Sequence, residues 1–118
     1  MAQKKTKSAK APASPPLPFS EAVRRAVRAI PRGQVRTYAQ VALYSGKPGA
    51  ARAVGREMRM LPPELAKKDV PWWRVVRADG TLASPVGDRQ ASLLRAEGLQ
   101  VAARDGGYRV KVPPQALD

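Results

Sequence analysis

The sequence predicts a single, mainly α domain with small β hairpins, and three observations carry the prediction. Four segments read as short helices, each bounded by a capping residue, a proline or a glycine. Two Gly-containing turns, Asp79-Gly80 and Gly106-Gly107, lie between short runs suited to β-structure. A length of 118 residues suffices for one domain with a modest core.

Residues 1–18 are rich in Lys, Ala, Ser and Pro and hold few groups that could build a core, so a disordered basic tail is expected. It is either a solvated extension or a basic arm on DNA. Ser20 is the expected N-cap of the first helix. Val23, Ala26, Val27 and Ile30 recur there at helical spacing, with Arg24, Arg25 and Arg28 on the solvated side and Pro31 and Gly33 as stops. A second helix is predicted from a Thr37 cap through residues 38–44, then a turn, SGKPG, at 45–49.

The third predicted helix covers 50–61 and stops before Pro62-Pro63. Two helices joined by a Gly-containing turn suggest a helix-turn-helix. Ala51, Val54, Met58 and Leu61 form its core stripe, while Arg52, Arg56 and Arg59 share another face. Small residues at Ala50, Ala51, Ala53 and Gly55 would let such a helix come close to a phosphate backbone. The same spacing also describes an amphipathic helix with solvated arginines, and spacing alone leaves both open.

PPELAKKD, 62–69, reads as a loop, and VPWWRVV, 70–76, as a strand in which Trp72 and Trp73 alternate faces. Val75-Val76 and Thr81-Leu82 flank Asp79-Gly80 as a hairpin. Asp88 is the expected cap of a helix over 89–97, with Leu93 and Leu94 inward and Gly98 as its stop. LQVAARDGGYRVKV, 99–112, reads as a second hairpin and a candidate wing, and 113–118 as a C-terminal tail.

A formal net charge of +13 points to a polyanionic partner, nucleic acid first and an anionic membrane second. Lys4, Lys5, Lys7 and Lys10 contribute +4 in the tail, which leaves +9 elsewhere by subtraction. The chain has no cysteine and no histidine, which removes disulfides, thiolate nucleophiles and the usual transition-metal ligands. No cofactor or metal is expected. No apolar run approaches membrane-spanning length and the basic N-terminus lacks the apolar segment of a secretory signal, so a soluble intracellular protein is expected.

Taken together, IPRGQVRTYAQVA, AARAVG, PWWRVVRADGTLA and LLRAEG resemble, in order and spacing, the DNA-binding domain of O6-alkylguanine-DNA alkyltransferases. The resemblance covers residues 19–112. It implies a winged helix-turn-helix that binds the DNA minor groove and flips a damaged guanine into a pocket, where a cysteine in a Pro-Cys-His-Arg-Val motif takes the alkyl group. This chain reads Pro71-Trp72-Trp73-Arg74-Val75 instead. Dealkylation needs a soft nucleophile activated as thiolate, and indole is not one. Trp in place of Cys is similar to the alkyltransferase-like proteins, which recognise O6-alkylguanine without repairing it and are thought to direct it to nucleotide-excision repair.

The resemblance implies roles for individual residues. Arg52 matches the arginine that enters the duplex as the base leaves, with a phosphate contact as the alternative. Tyr38 matches the tyrosine beside the flipped nucleotide, the alternative being a core-capping ring. Thr37, Ala50, Ala51, Gly55 and Arg59 match backbone-contacting positions. Trp72 would line the alkylguanine pocket with Tyr38, Val75 through its carbonyl, and Ser84 and Pro85 from the shortened 83–87 loop. Trp73, where the family has histidine, is expected in the core. Glu97 matches the family's distal acid but is left with nothing to orient, so local packing or pairing is expected. Leu61 stands where the alkyltransferases have a bracing asparagine.

The expected partners are double-stranded DNA carrying O6-alkylguanine and nucleotide-excision repair proteins, with no membrane. A monomer is expected, in the cytoplasm at the nucleoid of a bacterium or in the nucleus of a eukaryote. The alternative is a winged-helix regulatory or architectural protein that never flips a base. An enzyme such as a glycosylase or lyase would have to work from Asp69, Asp79, Asp88, Glu97 or Asp105, which read as loop, turn and cap residues.

Overall fold

The computed structural model describes residues 18–82, 87–104 and 106–112, the side chains of Lys67 and Lys68 excepted. The expected tail 1–18 except Pro18, the expected tail 113–118, and the loop residues Ser84 and Pro85 lie outside the described residues.

Helix α1 spans Phe19–Arg28 and buries Val23, Ala26 and Val27. Its N-cap is Pro18, not Ser20, and no side chain caps it. The Pro18 carbonyl accepts the Ala22 N–H at 2.9 Å, so the helix starts two residues earlier than the capping rule suggested. Phe19 packs on the core, which draws this first turn into the helix. Helix α2, Tyr38–Tyr44, starts at Thr37 as expected. The Thr37 hydroxyl accepts the Gln40 N–H at 3.1 Å, and the Gln40 carboxamide oxygen accepts the Thr37 N–H at 3.0 Å. This reciprocal box satisfies two otherwise orphaned donors.

Gly46 and Gly49 hold φ of 87° and 88° in the turn that leads to α3, Ala51–Arg59. Val54 is buried, and Ala50, Met58 and Leu61 pack at the margin of the same core. The expected loop at 62–69 contains a further helix, α4, Pro63–Lys68. Pro63 and Glu64 occupy its first turn, where proline's missing N–H costs nothing and an acid suits the helix dipole. Leu65 on α4 packs onto the core. The double proline therefore ends one helix and opens the next.

The region read as a strand over 70–76 is mostly not one. Trp72–Arg74 forms a 3-10 turn, and only Val75–Val76 is extended, as β2. β2 pairs in parallel with β1, Arg36–Thr37, with Arg36 opposite Val75 and Thr37 opposite Val76. Of the expected hairpin between Val75-Val76 and Thr81-Leu82 the described residues show only the closing rung, the Arg77 N–H on the Thr81 carbonyl at 3.2 Å, and no pairing of Val75-Val76 with Thr81-Leu82. A turn exists at Asp79-Gly80, closed by Gly80 N–H to the Arg77 carbonyl at 2.8 Å. Thr81 beyond it bridges Arg109, and the Leu82 N–H reaches the Tyr108 carbonyl at 3.1 Å. Gly80 sits at φ 86°, with Val110 N–H on its carbonyl at 2.9 Å.

Helix α5 spans Gly87–Ala96 and buries Gln90, Ala91 and Leu94, with Leu93 half-buried. Asp88 lies inside its first turn, not at the cap, and accepts the Tyr108 hydroxyl at 2.5 Å. Gly98, at φ 90°, closes the helix as predicted. β3, Val101–Arg104, and β4, Gly107–Val110, form the expected antiparallel hairpin.

Two cores result. One lies under the three N-terminal helices around Val27, Ile30, Val41 and Val54, and the other between α5 and the hairpin around Val35, Leu94 and Val110. Val75 belongs to the first and Val76 to the second. Successive strand residues face opposite sides, so the short β1–β2 pair is the seam that joins them.

Candidate nucleic-acid interface

Helix α3 carries the expected face. Arg52, Arg56 and Arg59 are exposed while Val54 is buried on the other side. Arg52 and Arg56 make no hydrogen bond or ion pair with other described residues, and the ion pairs that do form use Arg28 and Arg74. Ala50 is the N-cap, at φ −94° and ψ 34°, and supplies no side-chain hydrogen bond. The first-turn N–H groups of α3 therefore have no capping side chain among the described residues, an arrangement suited to phosphate. Ala50 and Ala51 are half-buried at this end and keep the surface thin.

Gly55 lies one turn into α3. A Cβ there would meet Arg59 Nη1 at 3.5 Å and Tyr38 Cε1 at 3.9 Å, both ordinary contacts. Alanine would fit and would favour the helix by about 0.8–1.0 kcal/mol. No internal contact demands glycine, which leaves close approach from outside as its physical rationale.

Tyr38 shares this corner, half-buried at the start of α2. Burial raises its phenol pKa, and the guanidinium groups of Arg77 and Arg59 pull it partly back. The hydroxyl thus stays a neutral donor and acceptor with two cations near it. Arg77 was not among the expected site residues. Its Nη1 donates to the Leu82 carbonyl at 3.2 Å, which fixes it beside the phenol. Thr37, expected to touch the DNA backbone, is buried with its hydroxyl in the α2 cap, so it acts by setting where Tyr38 begins.

Trp72 and Trp73 do not alternate as strand neighbours would. Both are half-buried on the 3-10 turn, with ring centroids 5.9 Å apart and planes at 87°. Trp73 packs against the second core, as expected for it. Its Nε1 donates to Glu97 Oε2 at 2.8 Å.

Glu97 corrects the sequence reading, which left it with nothing to orient. Its side chain is 3% exposed and lies opposite Arg74, whose Nη2 and Nε donate to it at 2.7 and 3.0 Å. The Gly33 N–H adds a third donor group at 3.0 Å. Burial works against ionisation, but the hydrogen bonds from Arg74, Gly33 and Trp73 outweigh it and hold the carboxyl below its ordinary value. The same Arg74 reaches the Ile30 carbonyl at 2.8 Å and lies 5.5 Å from the Trp73 ring centre. One carboxylate therefore fastens the tryptophan turn to α5 and to the end of the first helical segment.

Gln90 fastens it a second time. Its buried carboxamide donates to the carbonyls of Trp73 at 3.0 Å and Val75 at 2.9 Å. The Val75 carbonyl, expected to accept from a guanine amino group, thus already holds one donor. Sequence reading missed Gln90 because a glutamine on a helix carries no motif.

The structure brings Tyr38, Gly55 and Arg59 together, with Arg52 on the same helix. It holds Trp72 and Val75 on the adjoining turn and strand. Among the described residues no group of three or more acids could hold a metal ion, and no helix is long and apolar enough to cross a membrane.

Residues 18–99 match the family model described as the DNA-binding domain of 6-O-methylguanine DNA methyltransferase. The chain is 38% identical over 100 residues to the Alkyltransferase-like protein 1 of Schizosaccharomyces pombe, covering 80% of this chain and 90% of that protein. It is 43% identical over 86 residues to the DNA base-flipping protein of Escherichia coli, covering 71% of this chain and 64% of that one. Against the methylated-DNA–protein-cysteine methyltransferase of Salmonella typhimurium it is 46% identical but spans only 47% of that protein's length. Among solved structures, S. pombe Atl1 in complex with damaged DNA containing O6-carboxymethylguanine superposes with a TM-score of 0.71 at 36% identity. That match covers 84% of this chain and 93% of the other. The winged-helix architecture read from the motifs is the one these relatives share.

Proposed function

The chain belongs to the family of the 6-O-methylguanine DNA methyltransferase DNA-binding domain, and on that premise we propose that it is a non-enzymatic sensor of O6-alkylguanine in DNA. It binds the minor groove through α3, turns the damaged base out of the stack, holds it against Trp72, and leaves it for nucleotide-excision repair. It acts as a monomer, at the nucleoid of a bacterium or in the nucleus of a eukaryote.

One observation carries the reading. By the motif resemblance Trp72 stands where the family has its nucleophile, and this sequence contains no cysteine to replace it. Alkyl transfer to carbon or to an indole nitrogen has no activated nucleophile here. An aromatic ring at that place offers contact instead. Stacking of a base on an exposed ring is worth about 1–3 kcal/mol, of the same order as the few kcal/mol that extrusion costs. Arg52 has no partner among the described residues and is free to enter the gap the base leaves. Tyr38, between Arg59 and Arg77, stands ready for the phosphate or the turned-out base. The relatives, a base-flipping protein and an alkyltransferase-like protein crystallised on damaged DNA, favour the same mechanism.

The test uses paired duplexes with guanine or O6-methylguanine at one position. Arg52→Ala and Trp72→Ala should weaken binding to the lesion duplex more than to the undamaged one, and Arg56→Ala should cost less and act equally on both. 2-Aminopurine at the target position should brighten with the parent protein and less with Arg52→Ala. Radiolabelled methyl groups should remain on the DNA. Equal losses on both duplexes, with the fold intact, would favour a generic winged-helix binder, and label on the protein would overturn the sensor reading.

A further inference from the structure

A second concavity lies between α1 and α2. It is a groove of about 440 Å³ lined by Ala22, Arg25, Ala26, Ala29, Arg36 and Tyr44. The three alanines fall along one side of α1, so the floor is apolar and shallow. The walls are cationic. The Arg36 guanidinium lies 4.8 Å from the centre of the Tyr44 ring, and Arg25 is exposed opposite. Neither arginine enters an ion pair among the described residues. Tyr44 is 48% exposed and Leu43 beside it 51%, two of the three large apolar residues most exposed in the domain.

This groove shares no residue with the DNA-facing set. Tyr44 follows Tyr38 by six residues, about 240° around the helix. Tyr38 packs toward α3 at Gly55, whereas Tyr44 faces α1.

We infer that the groove docks an acidic segment of a partner protein that carries one aromatic or branched apolar side chain. The alanine floor suits the apolar anchor, and two guanidinium groups suit flanking carboxylates. Nucleic acid would satisfy the arginines but leave the alanine floor uncovered. A second copy of the chain would bring its own +13 charge against this one. Residues 1–18 of the chain itself carry four lysines and no acid, so they repel rather than fill the groove. An acidic segment docked here would leave α3 open, so that DNA and the partner can be held at once. The inference does not depend on lesion recognition, because it uses other residues.

The probe is a synthetic hexapeptide with one phenylalanine among Asp and Glu residues, titrated into the isotopically labelled full chain and followed by amide chemical shifts. Saturable shifts are expected at Ala22, Ala26, Ala29, Arg36 and Tyr44 and not along 52–59. Replacing the peptide's phenylalanine with serine should weaken binding at least about tenfold, the loss typical of a buried aromatic anchor. Arg25→Glu, and separately Ala29→Glu at another exposed position, should abolish the shifts while duplex binding changes less than about twofold. Equal binding of the serine peptide would reduce the effect to general charge attraction and overturn the inference. So would shifts centred on α3, or a loss of duplex affinity in Arg25→Glu as large as in Arg52→Ala. Duplex affinity is read separately, so failure of the lesion-sensor reading would leave this outcome intact.

Discussion

Replacing Glu97 with alanine should remove about 3–5 kcal/mol of stability, the usual cost of stranding one partner of a buried ion pair. The structure sets that magnitude. Glu97 is 3% exposed and Arg74 14%, so water does little to rescue the guanidinium once its partner is gone. The same carboxylate serves the Trp73 indole N–H at 2.8 Å and the Gly33 N–H at 3.0 Å, and alanine leaves both donors unmatched. In a domain of this size each kcal/mol shifts Tm by about 4–8 °C, so a fall of at least roughly 12 °C is expected. Thermal and urea denaturation followed by circular dichroism would measure it. Glu97→Leu combined with Arg74→Met should recover part of the loss, because the stranded charge is then absent although the Trp73 and Gly33 donors stay unmatched. The pH dependence has a definite sign. The Glu97 carboxyl is held below its ordinary value of 4.5, so its contribution is complete above that value and is lost as pH falls through the lower folded one. Glu97→Gln should therefore flatten the acid side of the stability profile. A Tm change under about 2 °C for Glu97→Ala, or no recovery in the double variant, would refute the reasoning.

Gly80→Ala should destabilise strongly, by more than about 2 kcal/mol, because a Cβ there would lie 2.1 Å from the Val110 carbonyl oxygen at φ 86°. A urea midpoint within error of the parent would contradict it. Thr37→Ala should cost about 0.5–2 kcal/mol by removing one arm of the α2 capping box, and duplex affinity should fall with it through displacement of Tyr38. Removing residues 1–18 takes away +4 of charge and should weaken lesion and undamaged duplexes alike. The salt dependence of binding should become shallower, and a large drop in discrimination would instead assign lesion reading to the tail.

Much of the fold was legible in the sequence because its signals are local. The Thr37 cap, the Gly98 stop and the Gly106-Gly107 hairpin each depend on residues within a turn of one another. The arginine face of α3 follows from spacing alone, and the run Pro71-Trp72-Trp73-Arg74-Val75, which resembles the family's Pro-Cys-His-Arg-Val motif, is read directly from the letters. What escaped was set by partners distant in sequence. Val75-Val76 looked like one arm of a hairpin, since Asp79-Gly80 is a good turn, but the strand it pairs with is β1 from far upstream. WWR looked extended because tryptophan suits strands and two valines follow it. It coils because two carbonyls near it are held by Gln90, 17 and 15 positions away. Glu97 looked idle because the histidine it would orient is missing. Only the folded chain brings Gly33, 64 residues distant, and Trp73, 24 residues distant, onto its two oxygens. Periodicity and capping chemistry act over three or four residues and leave a mark in the order of the chain. Desolvated charges and orphaned carbonyls are satisfied by whichever group the packing delivers, and packing is a property of all the elements together.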